Sequence, residues 1–412
     1  MPLTPQQEAA VNNRGGSLLV SAAAGSGKTR VLVERLFRYV TEERRSVDDF
    51  LIITYTRAAA AELRGKIAAE LSRRIGGDPS NAHLRRQLLR VYQADIKTVD
   101  AFCTALLREN THLLAREEDK HALTPDFRVL DDGEAALIRR RCLDRVLSAL
   151  YETLTPGAAQ LADTLGAGRD DSALAELVLE LYDKLQSHAS PADWLLQSRA
   201  VWEAPAPSFD ETPYAQALLA SIRRRAAHWA DQLRRGAERT EGDAPLESGY
   251  GAKFLESSRG FAALSRAPDW EAARALSASV PFPRLATPKG RKEDPLVVSL
   301  KQTWDGAKNA LKPLCSWLDV SGEEAMEDLR AVAPAMLALL DLTADFSAAF
   351  RAEKLRLNAA DFSDLEHLAL TLLVSPGGTP TELGEQISAR YAEIMVDEYQ
   401  DTNEVQNAIF RA

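Results

Sequence analysis

One stretch decides the fold of this 412-residue chain: Ser17-Leu18-Leu19-Val20-Ser21-Ala22-Ala23-Ala24-Gly25-Ser26-Gly27-Lys28-Thr29. We predict that it forms a short buried strand, a glycine-bearing loop and the first turn of a helix. Gly25 and Gly27 let the loop backbone curl so that successive N–H groups and the positive end of the helix dipole face an anion. Lys28 is expected to contact the β- and γ-phosphates of a nucleotide, and the Thr29 hydroxyl to ligate Mg²⁺. The sequence therefore predicts a nucleoside-triphosphate site that includes Ala22, Ala23, Ala24, Gly25, Ser26, Gly27, Lys28 and Thr29.

The phosphate-loop pattern G-x-x-x-x-G-K-[ST] is met at every position but the first, where Ala22 stands in place of glycine. A small residue still fits the turn. A glycine-rich turn with a chance Lys-Thr pair is the alternative interpretation, and the motifs described below favour the nucleotide site.

Composition limits the class of protein more than its function. The chain is 45% apolar and 27% charged, as in ordinary soluble proteins, and is long enough for two or three domains. We find no stretch approaching the ~20 apolar residues of a membrane span and no signal peptide, so we expect a cytoplasmic protein. Three scattered cysteines and six scattered histidines show no metal-binding spacing. The net charge of −10 argues against nonspecific coating of nucleic acid, although residues 28–108 hold 16 Lys and Arg against 10 Asp and Glu.

A short helix is predicted just before the phosphate loop. Thr4 can cap it, and Gln7, three residues later, completes a capping box. The Gln7 amide could also pair with the donor and acceptor edges of adenine, whereas capping alone is the simpler interpretation.

Strands alternate with helices up to about residue 112, which predicts a doubly wound parallel sheet. Phe50–Thr54 is an apolar strand that runs into Tyr55, Thr56 and Arg57, and an alanine-rich helix follows over 58–67. Ile96–Val99 is a third strand-like segment, followed by Phe102. Because α/β proteins bind ligands at the carboxyl edge of the sheet, these side chains are candidates for stacking on bases and contacting phosphates. For Tyr55 and Phe102, core packing is the competing interpretation.

From about residue 115 to 355 the alternation gives way to helical patterning, interrupted by proline-rich breaks at 203–213 and 280–295. The α/β pattern then returns, and the apolar segment Ile394–Val396 ends in Asp397 and Glu398. Asp397 is placed to hold Mg²⁺, and Glu398 to accept a proton from the water that attacks the γ-phosphate. These acids follow Lys28 by 369 positions, far more than one sheet requires, so we predict a large helical insertion between strands of a single sheet.

Together these motifs resemble those of superfamily 1 DNA helicases of the UvrD/Rep class, and within it the helicase–nuclease protein AddA, which is related to RecB. Gln7 is similar to the family's adenine-reading glutamine, 25–29 to motif I, and 54–63 to motif Ia, a single-strand contact. Residues 98–103 resemble the next DNA-contact motif, and 396–402 motif II, which includes Gln400. Arg57 replaces the usual Asn, and Asp100 the usual His. The resemblance implies contacts with DNA from Tyr55, Thr56, Arg57, Thr98 and Phe102.

The resemblance also implies the architecture. A RecA-like P-loop domain 1A would comprise 1–114 and 356–412, and the mostly α-helical domain 1B would be the insertion 115–355. The run Asp361–Leu365 and the length of the insertion favour the AddA type. The family's arginine fingers, second RecA-like domain and nuclease domain lie after motif II, so we expect this chain to be an N-terminal fragment that turns over ATP poorly by itself.

The predicted function is that of an ATP- and Mg²⁺-dependent DNA helicase or translocase. It would process double-strand ends, bind single-stranded DNA and duplex ends, and work with an AddB-like partner protein. Three alternatives remain open: a UvrD/Rep-type repair helicase without a nuclease, a P-loop kinase or GTPase, and a nucleotide-gated DNA-binding module. The Gln7 segment, the Gln400-Asp401-Thr402 continuation and the insertion are features that a kinase or GTPase does not need.

Overall fold

The structure is a computed structural model that describes residues 2–23, 25–114, 123–165, 172–204 and 206–412. The chain divides into two compact units. The first, called the sheet unit here, comprises Met1–Leu154, Leu165–Leu195 and Asp341–Ala412, and the second, the helical unit, comprises Thr155–Thr164 and Leu196–Leu340. The sheet unit thus draws on both ends of the sequence.

The strands are short, and those of the larger sheet are parallel. In the described residues the strands of both sheets are, in chain order, β1 (Phe50–Thr54), β2 (Ile96–Thr98), β3 (Arg128–Val129), β4 (Ala359–Ala360) and β5 (Glu393–Val396). The larger sheet has the order β2-β1-β5, with Ile52 of β1 paired with Ile96 and with Met395. A second parallel pair joins β3 to β4. The sheet therefore brings β5, from the end of the sequence, directly beside β1.

Helices make up most of the fold. In chain order they are α1 (Pro5–Asn12), α2 (Lys28–Thr41), α3 (Arg57–Gly77), α4 (Ala82–Arg90), α5 (Val99–Asn110), α6 (Asp132–Glu152), α7 (Pro156–Leu165), α8 (Ser172–Gln186), α9 (Pro191–Glu203), α10 (Pro213–Glu238), α11 (Ala244–Leu246), α12 (Ala252–Leu264), α13 (Trp270–Ser279), α14 (Pro295–Trp317), α15 (Gly322–Arg356), α16 (Phe362–Leu373), α17 (Glu382–Ser388) and α18 (Glu404–Arg411). The protein is thus an α/β fold of mostly helical content with a small parallel sheet. Helices α6 and α8 belong to the sheet unit, although the predicted insertion begins at residue 115.

Strand β1 is buried on both faces, which explains its unbroken apolar sequence. Leu51 and Ile53 pack in a cluster with residues of α5, α16 and α18. Phe50 and Ile52 pack in a second cluster on the opposite face, with residues of α2, α3 and α4. Alternate side chains of a strand point to opposite faces, so one strand serves both cores.

The predicted strand before the phosphate loop is wrong. Residues 17–23 carry no strand, and Leu18, Leu19 and Val20 are 41%, 74% and 40% exposed. An apolar run becomes a buried strand only where another strand pairs with it, and among the described residues no strand of the sheet pairs with this segment. The helix that follows, α2, forms as predicted.

The helical unit has an apolar core of its own, in which Tyr250, Phe254 and Trp304 are buried. Helix α15 is long and apolar enough to cross a membrane by length and composition alone. Its buried side chains include Met326, which packs in the core of the helical unit, and Phe346, which contacts Tyr182 edge to face. These contacts place part of α15 in the protein interior.

Candidate functional site

The phosphate loop has the backbone geometry that its glycines predict. Gly25 and Gly27 have φ angles of +76° and +87°, in the left-handed region that side chains disfavour. Gly27 is the N-cap of α2, so Lys28 and Thr29 occupy the first turn of that helix. Ala22, Ala23 and Ser26 are exposed beside them, and Ala24 lies outside the described residues. The loop can therefore present backbone N–H groups and a helix N-terminus to an anion.

The two ends of the sequence meet at this loop. The Lys28 ammonium lies 3.9 Å from a carboxylate oxygen of Glu398, and the Thr29 hydroxyl lies close enough to the carboxylate of Asp397 to favour its charged form. Pairing with β1 continues as far as Asp397, whose backbone N–H donates to the carbonyl of Ile53 at 3.0 Å. The residues predicted to bind phosphate and those predicted to bind metal and water thus share one site.

Glu398 has an unusual backbone conformation. It is the N-cap of a short 3-10 turn, with φ +59° and ψ +43°, a left-handed conformation that costs a residue with a side chain about 1–3 kcal/mol. Its carboxylate accepts a hydrogen bond of 2.5 Å from the Gln400 amide, and the Glu398 side chain is 49% exposed. Gln400 thus holds the predicted base in place, in addition to the nucleotide contact expected of it.

The electrostatics at Asp397 favour a bound cation. Burial raises the pKa of the Asp397 carboxyl, and the negative charge of Glu398 raises it further. The Glu398 N–H, the Lys28 ammonium and the Thr29 hydroxyl oppose this shift without cancelling it. Two like charges on adjacent residues are stabilised by a divalent cation between them and a phosphate.

The donor set at the site fits Mg²⁺. This cation is commonly held by one or two carboxylates or hydroxyls, with water and substrate phosphates completing its octahedron. Asp397 and Thr29 supply one carboxylate and one hydroxyl that already lie near each other. No cluster of three or more His, Cys, Asp or Glu suited to a metal occurs in the part of the chain that the structure describes, so the phosphates would have to complete this site.

Gln7 lies against the phosphate loop, and its capping box with Thr4 is present. The Gln7 carbonyl oxygen accepts from the Thr4 N–H at 2.9 Å, and its amide donates to the Ser26 carbonyl at 3.0 Å. A glutamine amide has two donors and an oxygen with two lone pairs, so one donor and one lone pair are left for adenine. Capping and base recognition are therefore compatible at this residue.

The predicted DNA contacts differ in exposure. Thr56 is exposed at the N-cap of α3, and Arg57 is exposed beside it. Tyr55 is partly buried, and its hydroxyl lies 2.5 Å from the Thr402 hydroxyl. Thr98 is buried as the N-cap of α5, where its hydroxyl accepts from the Ala101 N–H at 3.2 Å.

The structure places Phe102 in the core instead of at a DNA-binding surface. Its side chain is 7% exposed and belongs to the cluster that also contains Leu51 and Leu365. Residues of α16 belong to the same cluster, so little of the ring is accessible to a base. The prediction of a stacking contact at Phe102 is corrected accordingly.

Arg57 and Asp100, the two departures from the family motifs, influence each other electrostatically. Burial raises the pKa of the Asp100 carboxyl, and the charge of Arg57 opposes that shift. A carboxylate near a phosphate track is unfavourable by itself, and a nearby guanidinium lessens the repulsion.

The sequence analysis missed a buried polar network behind the sheet edge. The carboxylate of Glu366, 7% exposed, accepts hydrogen bonds from Gln406 at 2.6 Å and from Asn403 at 3.2 Å. Gln406 also accepts from the Tyr55 hydroxyl at 3.4 Å. The only signal in the sequence is an acidic residue on the apolar face of α16, and its partners are far away in sequence.

Comparisons with known proteins agree with this geometry. A family model described as the UvrD/REP helicase N-terminal domain matches residues 3–412. Proteins named as the A component of an ATP-dependent helicase/nuclease are 36% identical in Moorella thermoacetica and 35% in Desulforudis audaxviator, over 98% and 99% of this chain and 29% and 34% of theirs. The protein of that name in Bacillus licheniformis is 32% identical over 99% of this chain and 33% of its own length. The chain thus spans about a third of these relatives. Its phosphate loop, its paired acids and this match over nearly its whole length together show that the chain belongs to the UvrD/REP helicase family.

Proposed function

We propose that this chain is the ATP-binding part of an AddA-type, ATP-dependent DNA helicase or translocase that processes double-strand ends during recombinational repair in the cytoplasm. One observation supports it above the others: Lys28 and Thr29 share a site with Asp397 and Glu398, from the opposite end of the sequence. A phosphate loop facing an Asp-Glu pair at the end of a parallel strand is suited to hydrolysing a nucleoside triphosphate.

Each residue of the site has a role in this proposal. The backbone N–H groups of Gly25 to Thr29 and the Lys28 ammonium bind the phosphates of ATP. Thr29 and Asp397 would hold Mg²⁺, and the bound cation would supply charge neutralisation at the phosphates. Glu398, oriented by Gln400, accepts the proton of the attacking water.

The DNA track is proposed at the sheet edge. Thr56 and Arg57 are exposed there and suited to phosphate contacts, while Tyr55 presents a partly buried ring. Stacking on an aromatic ring is worth about 1–3 kcal/mol per base and tolerates any sequence, as a motor requires. Thr98 caps α5 beneath this edge and positions its backbone.

The two compact units support the proposed domain organisation. The sheet unit contains residues from both ends of the chain, and the helical unit is drawn mainly from 196–340. This is what a helical domain 1B inserted into a RecA-like domain 1A produces. We propose that domain 1B guides duplex DNA and that the parent protein pairs with an AddB-like partner.

The test is nucleotide binding by Lys28→Ala. Loss of the ammonium should reduce the affinity for a fluorescent MgATP analogue at least 100-fold with unchanged circular dichroism. Lys66→Ala is the matched control, because Lys66 is exposed and pairs with Glu62 one helical turn away on the same helix. Equal affinities of wild type and Lys28→Ala would refute the site.

The related proposal of a UvrD/Rep-type helicase without a nuclease shares the same nucleotide site. The two are distinguished by assaying the full-length parent for Mg²⁺-dependent nuclease activity. Degradation of linear duplex DNA supports the AddA type, and unwinding without degradation supports the UvrD/Rep type.

A further inference from the structure

A buried ion pair joins the helix that carries the phosphate loop to the strand that carries the acids. The Arg35 guanidinium on α2 donates to both carboxylate oxygens of Glu393 on β5, at 2.6 and 2.9 Å. Tyr39 donates to the same carboxylate at 2.6 Å. Arg35 is 7% exposed and the Glu393 side chain 23%, so solvent screens this bidentate contact only in part.

The same guanidinium also reaches α1. Its third nitrogen donates to the carbonyl of Ala10 at 2.7 Å. Ala10 follows Gln7 on α1 by less than one turn, and Gln7 contacts the loop at Ser26. One side chain therefore contacts each of the three elements that form the nucleotide site.

The ion pair between Arg35 and Glu393 also sets the position of α2 along β5. Arg35 follows Thr29 by six residues, about 9 Å along a helix that rises 1.5 Å per residue. Glu393 precedes Asp397 by four residues, about 13 Å along a strand that rises 3.3 Å per residue. The two lengths differ by only about 4 Å, so joining Arg35 to Glu393 at one end keeps Thr29 near Asp397 at the other.

In the described residues, no strand pairing joins the segment before the phosphate loop to β5. Residues 17–23 form no strand, and β5 pairs only with β1. The position of the phosphate loop relative to β5 therefore depends on side chains.

We propose that Arg35 and Glu393 are positioning residues that set the separation of Thr29 and Asp397, and so determine how much Mg²⁺ strengthens nucleotide binding. The inference rests on the proposed function, since it presumes that the site binds a magnesium nucleotide. The phosphates themselves contact mainly the loop and α2, which move together. Loss of the pair should spare binding of the metal-free nucleotide and weaken the additional binding conferred by the metal.

The experiment compares the affinity for fluorescent ADP with and without Mg²⁺. Arg35→Lys keeps the positive charge and removes the bidentate hydrogen bonding of the guanidinium. Glu393→Gln keeps the shape of the side chain and removes its negative charge. In both variants the Mg²⁺-dependent gain in affinity should fall at least tenfold, with metal-free affinity within twofold of wild type. Arg38→Ala is the matched control, because Arg38 lies on the same helix and pairs with Glu8, Glu34 and Glu42, none of them on β5.

The outcomes separate this inference from the function on which it rests. If wild type binds no nucleotide, the proposed function fails and the inference fails with it. If wild type shows the gain and a folded Arg35→Lys or Glu393→Gln retains it, the positioning role is overturned while the nucleotide site stands. An equal loss of ADP affinity with and without Mg²⁺ also overturns the positioning role, because a general destabilisation of the nucleotide site would explain that result. Should Arg35→Lys fail to fold, Glu393→Gln decides.

Discussion

Replacing Lys354 by methionine tests how the chain is anchored where it returns to the sheet. The Lys354 ammonium, 2% exposed, lies near the end of α15 and contacts Asp361 at 2.9 Å and Asp364 at 2.6 Å. It also lies 4.0 Å from the centre of the Phe350 ring. Asp361 is the N-cap of α16, which packs against the sheet, so this cluster joins the last long helix to the sheet unit.

The magnitude follows from the burial of the three charges. Removing one partner of a buried ion pair costs about 3–5 kcal/mol, because the other partner is left without compensation. The Asp361 side chain is 5% exposed and that of Asp364 is 25% exposed. Arg139 remains 4.0 Å from Asp361. We therefore expect Lys354→Met to lower the free energy of unfolding by about 3 kcal/mol at pH 7.5.

The loss should depend on pH. In the wild type, burial raises the pKa of Asp364 to about 6 even though Lys354 opposes the shift. Burial also raises the pKa of Asp361, but Lys354, the Asp364 N–H and Arg139 outweigh it and hold that pKa below its ordinary value. Without the cation both values rise in the folded state, so the folded chain binds more protons than the unfolded one. The free energy of unfolding of the variant is then highest below about pH 4, near the ordinary pKa of an aspartate, and falls as pH rises. For each aspartate the total fall is about 1.4 kcal/mol per unit by which its pKa in the folded chain exceeds that in the unfolded chain.

The assay is urea unfolding followed by circular dichroism at pH 5.0 and 7.5. The destabilisation should be at least about 1 kcal/mol smaller at pH 5.0. Lys66→Met should cost less than about 0.5 kcal/mol at either pH, since Lys66 and Glu62 form an exposed pair. Adding Asp361→Asn to Lys354→Met should cost less than the sum of the single changes, because asparagine still caps α16 and removes the charge of the Asp361 carboxylate. A loss below about 1 kcal/mol at pH 7.5, or the same loss at both pH values, would refute the reasoning.

Three further predictions concern the sheet edge. Tyr55→Phe removes the hydroxyl that contacts Thr402, so it should lower the free energy of unfolding by about 1 kcal/mol. The affinity for single-stranded DNA, measured by fluorescence anisotropy, should change less than twofold. A tenfold loss of affinity would show that the hydroxyl and not the ring binds DNA. Thr56→Ala removes the N-cap that accepts from the Ala59 N–H at 3.0 Å and should cost about 1 kcal/mol in urea unfolding; no change would place that hydroxyl outside the cap. Binding to single-stranded DNA should weaken with salt, with a slope of roughly −0.7 per phosphate contact in a plot of log affinity against log salt, and a flat response would contradict a backbone track.

How much of the site could be predicted depended on how local each signal was. The geometry at Gly25 and Gly27 and the capping box at Thr4 follow from residues within a few positions of each other, and the structure confirms them. The prediction of a buried strand before the phosphate loop was wrong, because the burial of such a strand depends on a pairing partner that local sequence does not reveal. Phe102 was ambiguous for the same reason, since the face of α5 that packs against α16 is set by another part of the chain.

The sequence by itself determined the chemistry. It specified a phosphate loop, an Asp-Glu pair after an apolar segment, and a long helical stretch between them, because each of these depends on short-range residue patterns. Only the tertiary structure decided which groups lie close together: Thr29 and Asp397, Arg35 and Glu393, and Lys354 and two aspartates. The physical reason is that hydrogen bonds and ion pairs act over a few ångströms in space, while these partners can be hundreds of residues apart along the chain.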